Sequence, residues 1–307
     1  MSEVEWQVAS GRKSRRPRVS KNIPSTPTTS TTSLLNLEPI VVRIRKLADS
    51  LSHTVFYRKL SHSIEHWLTT LPPDQRSVVA IVAYGIGKTS TSLASQIQLA
   101  CLVSLLNDFS PRLGATSYEP AADVNDLAVC ERLHITNVTT NEECRHPTTA
   151  GPTLFFMPHC AHRMYSNVLW SNWNVDLITN VCILGNSFSK YGMALRKEDA
   201  SNCIAALSAY TTEVQLHDAL CSEEENIQVL VHNVTIEQLY SAFTDTSTMF
   251  YATNDVPDMN KHGIMDNQPP ANPLKAATTV WDQEMVRGSA SQVETTEKAT
   301  EEKLEKK

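Results

Sequence analysis

The chain has 307 residues, 41% of them hydrophobic and 20% charged, with a formal net charge of −6. That is material for one sizeable domain with tails, and neither a membrane nor a nucleic acid is an expected partner. No window is apolar enough for a membrane span, and the polar stretch Met1–Ser33 lacks a charged-then-apolar leader, so a soluble cytoplasmic protein, with the nucleus as a second location, is expected.

In chain order, residues 1–33 join the basic run Arg12-Lys13-Ser14-Arg15-Arg16-Pro17-Arg18 to a Ser/Thr/Pro tract. Too few large apolar groups are present to offset ordering entropy, and a disordered tail is expected. The basic run reads as an import signal, a weak nucleic-acid contact or plain solvated charge. Leu34–Leu71 has helical periodicity, with Val41, Ile44, Leu47, Leu51, Val55 and Phe56 near one face, and Pro72-Pro73 stops it. Val78–Ala83 is a short β-branched run, hence a first strand. A helix follows from Thr89 to Asn107, burying Leu93, Ile97, Ala100, Cys101 and Leu105. Next come a strand ending at Ser117-Tyr118, a helix over Asp123–Leu133, and strands over Ile135–Val138, Thr153–Met157 and Asn180–Leu184. The alternation predicts an α/β, Rossmann-like domain over residues 34–251, with N-terminal helices and a largely parallel sheet. Residues 252–307 are expected to form a disordered polar tail, ending in the Glu/Lys-rich Glu294–Lys307.

The stretch Ala83–Ser90 reads AYGIGKTS. Its Gly-Lys-Thr suggests a phosphate loop, but the glycine required five residues earlier is Val82, inside the first strand. What remains is strand, Gly85-x-Gly87, helix, the first turn of a doubly wound sheet. The third fingerprint position is Ser90, and the acidic residue of the next strand is Glu119. Two readings stand together: the turn approaches a ligand, or its glycines only permit a tight turn and close packing.

Ligands of such sheets sit beyond the strand C-termini. That edge collects Tyr84, Gly85, Gly87, Glu119, Pro120, Asn141, Glu142, His159, Cys160, Gly185, Asn186 and Ser187. Gly85, Gly87, Glu119, His159 and Asn186 are the candidate ligand-binding residues. No catalytic residue is assigned, because the chain has no nucleophile elbow, no His-Glu-x-x-His and no kinase set. The seven cysteines are scattered and never spaced Cys-x-x-Cys, which fits reduced thiols. His159-Cys160-Ala161-His162 groups soft ligands without a second pair, so no metal site is assigned. Trp170 and Trp173 are expected on one face of a helix as core or interface aromatics. Asn172 between them is expected to hydrogen-bond the backbone of a neighbouring loop.

AYGIG at 83–87, YEP at 118–120, NEE at 141–143, FMPHC at 156–160, LWSNW at 169–173, ILGNSF at 183–188 and FTDTS at 243–247 together resemble the sensitivity-to-red-light-reduced family over about residues 75–251. The chain departs from that family at Cys144, where glycine is usual, and at Glu119, where aspartate is common. The resemblance implies a regulatory protein, connected with light and circadian signalling in plants and with haem biosynthesis and clock-gene expression in animals. A noncatalytic regulator that binds protein partners is the favoured reading, because no complete catalytic constellation occurs. The alternative is a nucleotide- or S-adenosylmethionine-binding enzyme in which the Gly85-Ile86-Gly87 turn approaches the ligand, Glu119 meets a ribose and His159 serves as acid or base. A small nucleotide-like molecule or haem is a candidate ligand, and no cofactor is assigned. The residues themselves carry no haem signature, since neither Cys-Pro nor Cys-x-x-Cys-His occurs.

Overall fold

The computed structural model describes residues 36–194, 203–222 and 234–263. Two helices come first, α1 (Glu38–Ser52) and α2 (Val55–Thr70). The periodic stretch is divided at Thr54, whose extended backbone breaks the helix while its hydroxyl accepts the Tyr57 N–H and caps the next one. The remaining elements are β1 (Ala80–Tyr84), α3 (Leu93–Phe109), β2 (Ala115–Tyr118), α4 (Val124–Arg132), β3 (Ile135–Asn137), β4 (Thr153–Met157), α5 (His162–Ser171), α6 (Val175–Ile178) and β5 (Val181–Asn186). They continue as α7 (Phe188–Ala194), α8 (Cys203–Leu207), β6 (Thr212–Gln215), α9 (His217–Ser222), α10 (Ile236–Phe243), β7 (Thr246–Phe250) and α11 (Val256–Lys261).

The strands form a seven-stranded sheet in the order β3-β2-β1-β4-β5-β7-β6. β1 pairs in parallel with β2 and β4, β2 with β3, and β4 with β5, while β7 runs antiparallel to both β5 and β6. The fold is therefore α/β and Rossmann-like, with one reversed strand near an edge. Side chains alternate between the two faces. Ile81, Ala83, Leu154, Phe156, Cys182, Leu184 and Phe250 belong to a core shared with α1, α2, α3, α4, α9 and α10. Val82, Tyr84, Phe155, Met157, Ile183 and Met249 belong to a second core with α5, α6, α8 and α11. Burial on both sides is why these strands read as continuous apolar runs.

Four features differ from the sequence expectation. Helix α3 starts at Leu93 rather than Thr89, because Ser92 is its cap, accepting the Ser95 N–H, and Lys88–Ser92 forms a turn instead. Strand β5 continues through Gly185 and Asn186, which were expected beyond its end. Strands β6 and β7 were not foreseen. β7 is buried along its whole length, yet it begins Thr246-Ser247-Thr248, and hydroxyls conceal a buried strand from a search for apolar runs. The Thr248 hydroxyl donates to that of Ser63 on α2 at 2.8 Å, which removes the cost of burying it. Finally, the folded chain continues past Tyr251 into α11, with Met259 buried, so the expected tail does not begin at 252. The expected tail over 1–33 and the remainder over 264–307 lie outside the described residues. Among the described residues, no helix is long and apolar enough to cross a membrane.

Helix α2 is tied to the start of β5 by one buried polar contact. The Trp67 indole Nε1–H donates to the Thr179 carbonyl at 2.9 Å. Trp67→Phe keeps an aromatic ring but, with the smaller phenyl, leaves a void and orphans that carbonyl, and is expected to lower stability by about 1–3 kcal/mol in denaturant titration. An unchanged midpoint would remove Trp67 from its anchoring role.

Candidate functional site

The chain leaves β1 towards β2 on one side and returns to β4 on the other, so the crevice of this sheet lies beyond the C-terminal ends of β1 and β4. The turns there are unusual. Gly85 and Gly87 follow β1 at φ 71° and 82°, and His159 follows β4 at φ 59°. A Cβ on Gly85 would stand 3.0 Å from the Cys160 Sγ, so only glycine lets the two turns approach as they do. The Cys160 thiol points to the Tyr84 carbonyl at 3.5 Å, and burial pushes its pKa up, away from reactivity.

Glu119 ends β2 and reaches back to the first turn. Its Oε2 accepts the Gly87 N–H at 2.7 Å and its Oε1 accepts the Ala121 N–H at 2.9 Å. Burial raises its pKa above the usual carboxylate range, opposed by those two N–H groups and by the Lys88 cation. Asp126 adds a second tie. One oxygen closes a capping box with Asp123, and the other accepts the Ser90 N–H at 2.7 Å. A cavity of about 30 Å³, room for one or two waters, is lined by Gly87, Thr89, Ser117, Glu119, Asp126 and Asn137 among others. Two amides that a glycine-rich turn would offer a phosphate, those of Gly87 and Ser90, are thus taken by the chain's own carboxylates.

On the other side of the crevice, Asn186 holds the turn after β4. Its Oδ1 accepts the His159 N–H at 3.0 Å, and its Nδ2 donates to the Cys160 carbonyl at 3.3 Å and to the Tyr191 hydroxyl at 2.9 Å. The Tyr165 hydroxyl joins β4 to β5, donating to the Met157 carbonyl at 2.7 Å and accepting the Asn186 N–H at 2.9 Å. Gly185 makes room for that ring: a Cβ there would lie 2.6 Å from Tyr165 Cε1. The His159 Nε2–H donates to the Ala242 carbonyl at 3.0 Å, and burial lowers the imidazole pKa. His159, Cys160 and His162 turn to different partners, the last lying against the Tyr191 ring. Among the described residues, no three His, Cys, Asp or Glu side chains are placed to hold a metal ion.

The pattern of the SRR1 domain matches residues 53–251. The chain belongs to the SRR1 domain family. It is 37% identical to the SRR1-like protein of Mus musculus over 113 residues, covering 36% of this chain and 45% of that protein. It is 27% identical to Protein SENSITIVITY TO RED LIGHT REDUCED 1 of Arabidopsis thaliana over 151 residues, 49% of this chain and 54% of the relative. It is 23% identical to the SRR1-like protein of Drosophila melanogaster over 184 residues, 60% and 64% of the two chains. The matches thus span between about half and two thirds of these relatives' own length. No solved structure matches the chain.

The family words now have physical content. In ILGNSF, Gly185 accommodates Tyr165, Asn186 clamps the His159 turn, and the Ser187 hydroxyl accepts the Lys190 N–H at the start of α7. In NEE, Asn141 accepts the Glu143 N–H, Glu142 accepts the Tyr84 hydroxyl, and Glu143 pairs with Arg145, which stacks on Trp170. Cys144 has φ 58°, in the left-handed region that glycine adopts most readily. Asn172 caps α5 and bonds both the Thr148 N–H and the His146 carbonyl, while Trp173 lies past the helix end rather than on its face.

The five candidate residues are thereby gathered at one edge: Gly87 bonds Glu119, His159 bonds Asn186, and Gly85 abuts Cys160. Asp126, Tyr165 and Tyr191 were missed. Asp123-x-x-Asp126 before an apolar run carries a capping-box signal that marks the first of them. The two tyrosines act through contacts that no local pattern shows.

Gly185→Ala is expected to lower stability by about 1–3 kcal/mol through the clash with Tyr165, read from the thermal midpoint. A wild-type midpoint would overturn that packing. His159 is held neutral, so the unfolded chain binds its proton first, and stability is lost as pH falls below the ordinary 6.5. Asparagine tolerates the same backbone, and the stability advantage of wild type over His159→Asn should shrink between about pH 7.5 and about pH 5.5. A gap that stays constant with pH would reject a buried neutral imidazole.

Proposed function

We propose that this SRR1-domain chain is a noncatalytic regulator that works through protein partners in the cytoplasm or nucleus and adjusts haem biosynthesis and circadian clock-linked gene expression. The observation that carries the noncatalytic reading is the self-satisfaction of the strand-end edge. Gly87 and Ser90 amides face Glu119 and Asp126, and the cavity beside them has room for water only. His159 is bonded to a carbonyl, not to a nucleophile whose proton it would take. The haem and clock parts rest on family resemblance, and light response is named only in the Arabidopsis relative.

A second reading has one observation in its favour. Two left-handed glycines at the switch point of a doubly wound sheet are where a nucleotide or S-adenosylmethionine would lie. A thermal-shift screen with S-adenosylmethionine, nicotinamide and adenine nucleotides and haem separates the two. A ligand present at about a hundred times its dissociation constant adds about 2.7 kcal/mol. The regulator reading expects no such gain from the nucleotides, and a gain from any of them would replace it. Deleting the chain in its native cells is expected to change haem-synthesis and clock transcripts. Unaltered transcripts would reject the regulatory role.

A further inference from the structure

The Glu119 carboxylate sits where an anionic ligand of a glycine turn would sit. The amide of Gly87, at φ 82°, donates to it at 2.7 Å, and the amide of Ala121 donates to its other oxygen at 2.9 Å. Converging main-chain N–H groups of this kind form concavities that bind oxyanions in general, with no preference for a side-chain carboxylate over a free one. Lys88, exposed on the same turn, acts on Glu119 as a favourable cation. Burial disfavours the charged form of Glu119, and Asp126 adds to that in a smaller measure. Beside the carboxylate lies the small cavity, whose lining joins Ser117, Thr89 and Asn137 to the apolar Ile86, Leu127 and Val138.

We propose that Glu119 is an internal occupant of an oxyanion site built from the Gly87 and Ala121 amides, with the Lys88 cation on the same turn, and that a small external oxyanion, a phosphate ester or a carboxylate, takes the site when Glu119 leaves it. This inference rests on the reading that the wild-type turn is closed to nucleotides, and it makes Glu119 the reason. The site is autoinhibited. Access depends on displacing one side chain, which a partner contacting the β2 end can do without entering the crevice.

The test compares full-length wild type with Glu119→Ala, titrated with inorganic pyrophosphate and, separately, malonate, to tell a phosphate from a carboxylate preference. The variant is expected to bind at least one of them at least about tenfold more tightly than wild type, a change of about 1.4 kcal/mol. Lys88→Ala placed in the Glu119→Ala background is expected to lose most of that gain. A folded Glu119→Ala with wild-type affinity for both anions overturns the proposal. Should the alanine variant not fold, Glu119→Gln, which keeps the side chain's shape without its charge, is titrated in its place under the same criteria. Tight binding by wild type at neutral pH would instead remove the closed-turn reading itself, whereas absence of binding in wild type and variant alike removes only this inference.

Discussion

Parallel strands that end together leave a row of main-chain amides beyond the last ladder bond, and each must find a partner if it is buried. In this chain side chains meet that constraint. Glu119 takes Gly87 and Ala121, Asp126 takes Ser90, and Asn186 takes His159. Each of these acceptors comes from a different element than the turn it holds, apart from the Glu119 bond to Ala121. The ties therefore join neighbouring strand ends to one another. The short words that define the family resemblance recur at strand ends for the same reason, since a left-handed turn and the carboxylate or carboxamide that holds it must be specified together.

The parallel part of the fold was legible because its strands obey one rule. β1, β4 and β5 are apolar runs with β-branched or aromatic residues, buried on both faces, bounded by turns. The rest obeyed other rules. β7 carries hydroxyls at three of its five positions, and that of Thr248 finds its partner in Ser63, far away in the sequence. Gly185 looks like a loop glycine, yet it lies within a strand whose pairing with β4 continues alongside Met157. Only the Tyr165 ring explains it, and that contact joins an α5 residue to a β5 residue with no local trace.

The edge itself was legible as a place and not as a chemistry. Position followed from the fold rule that ligands lie beyond strand C-termini. Role did not, because a carboxylate at the end of β2 serves equally to meet a ribose or to close a turn, and the choice is made by whether its oxygens reach a neighbouring amide. Glu119 reaches two.

Packing also extends the domain beyond the region that matches the family. Helix α1 precedes residue 53, where the match begins, yet Val41, Ile44, Leu47 and Leu51 lie in the same core as Leu99, Leu102 and Leu105 of α3. The Ser104 hydroxyl of α3 donates to the Ala48 carbonyl, and the Arg45 guanidinium donates to the Arg132 carbonyl at the end of α4. Removing α1 would uncover the apolar side of the helix that follows the glycine turn. α3 also anchors the far end of that turn, through Ser92 and the bond from Gln96 to the Thr89 carbonyl, so α1 packs on the helix that holds the turn although it lies outside the matched region. The packed unit that carries Gly87 and Glu119 therefore includes α1.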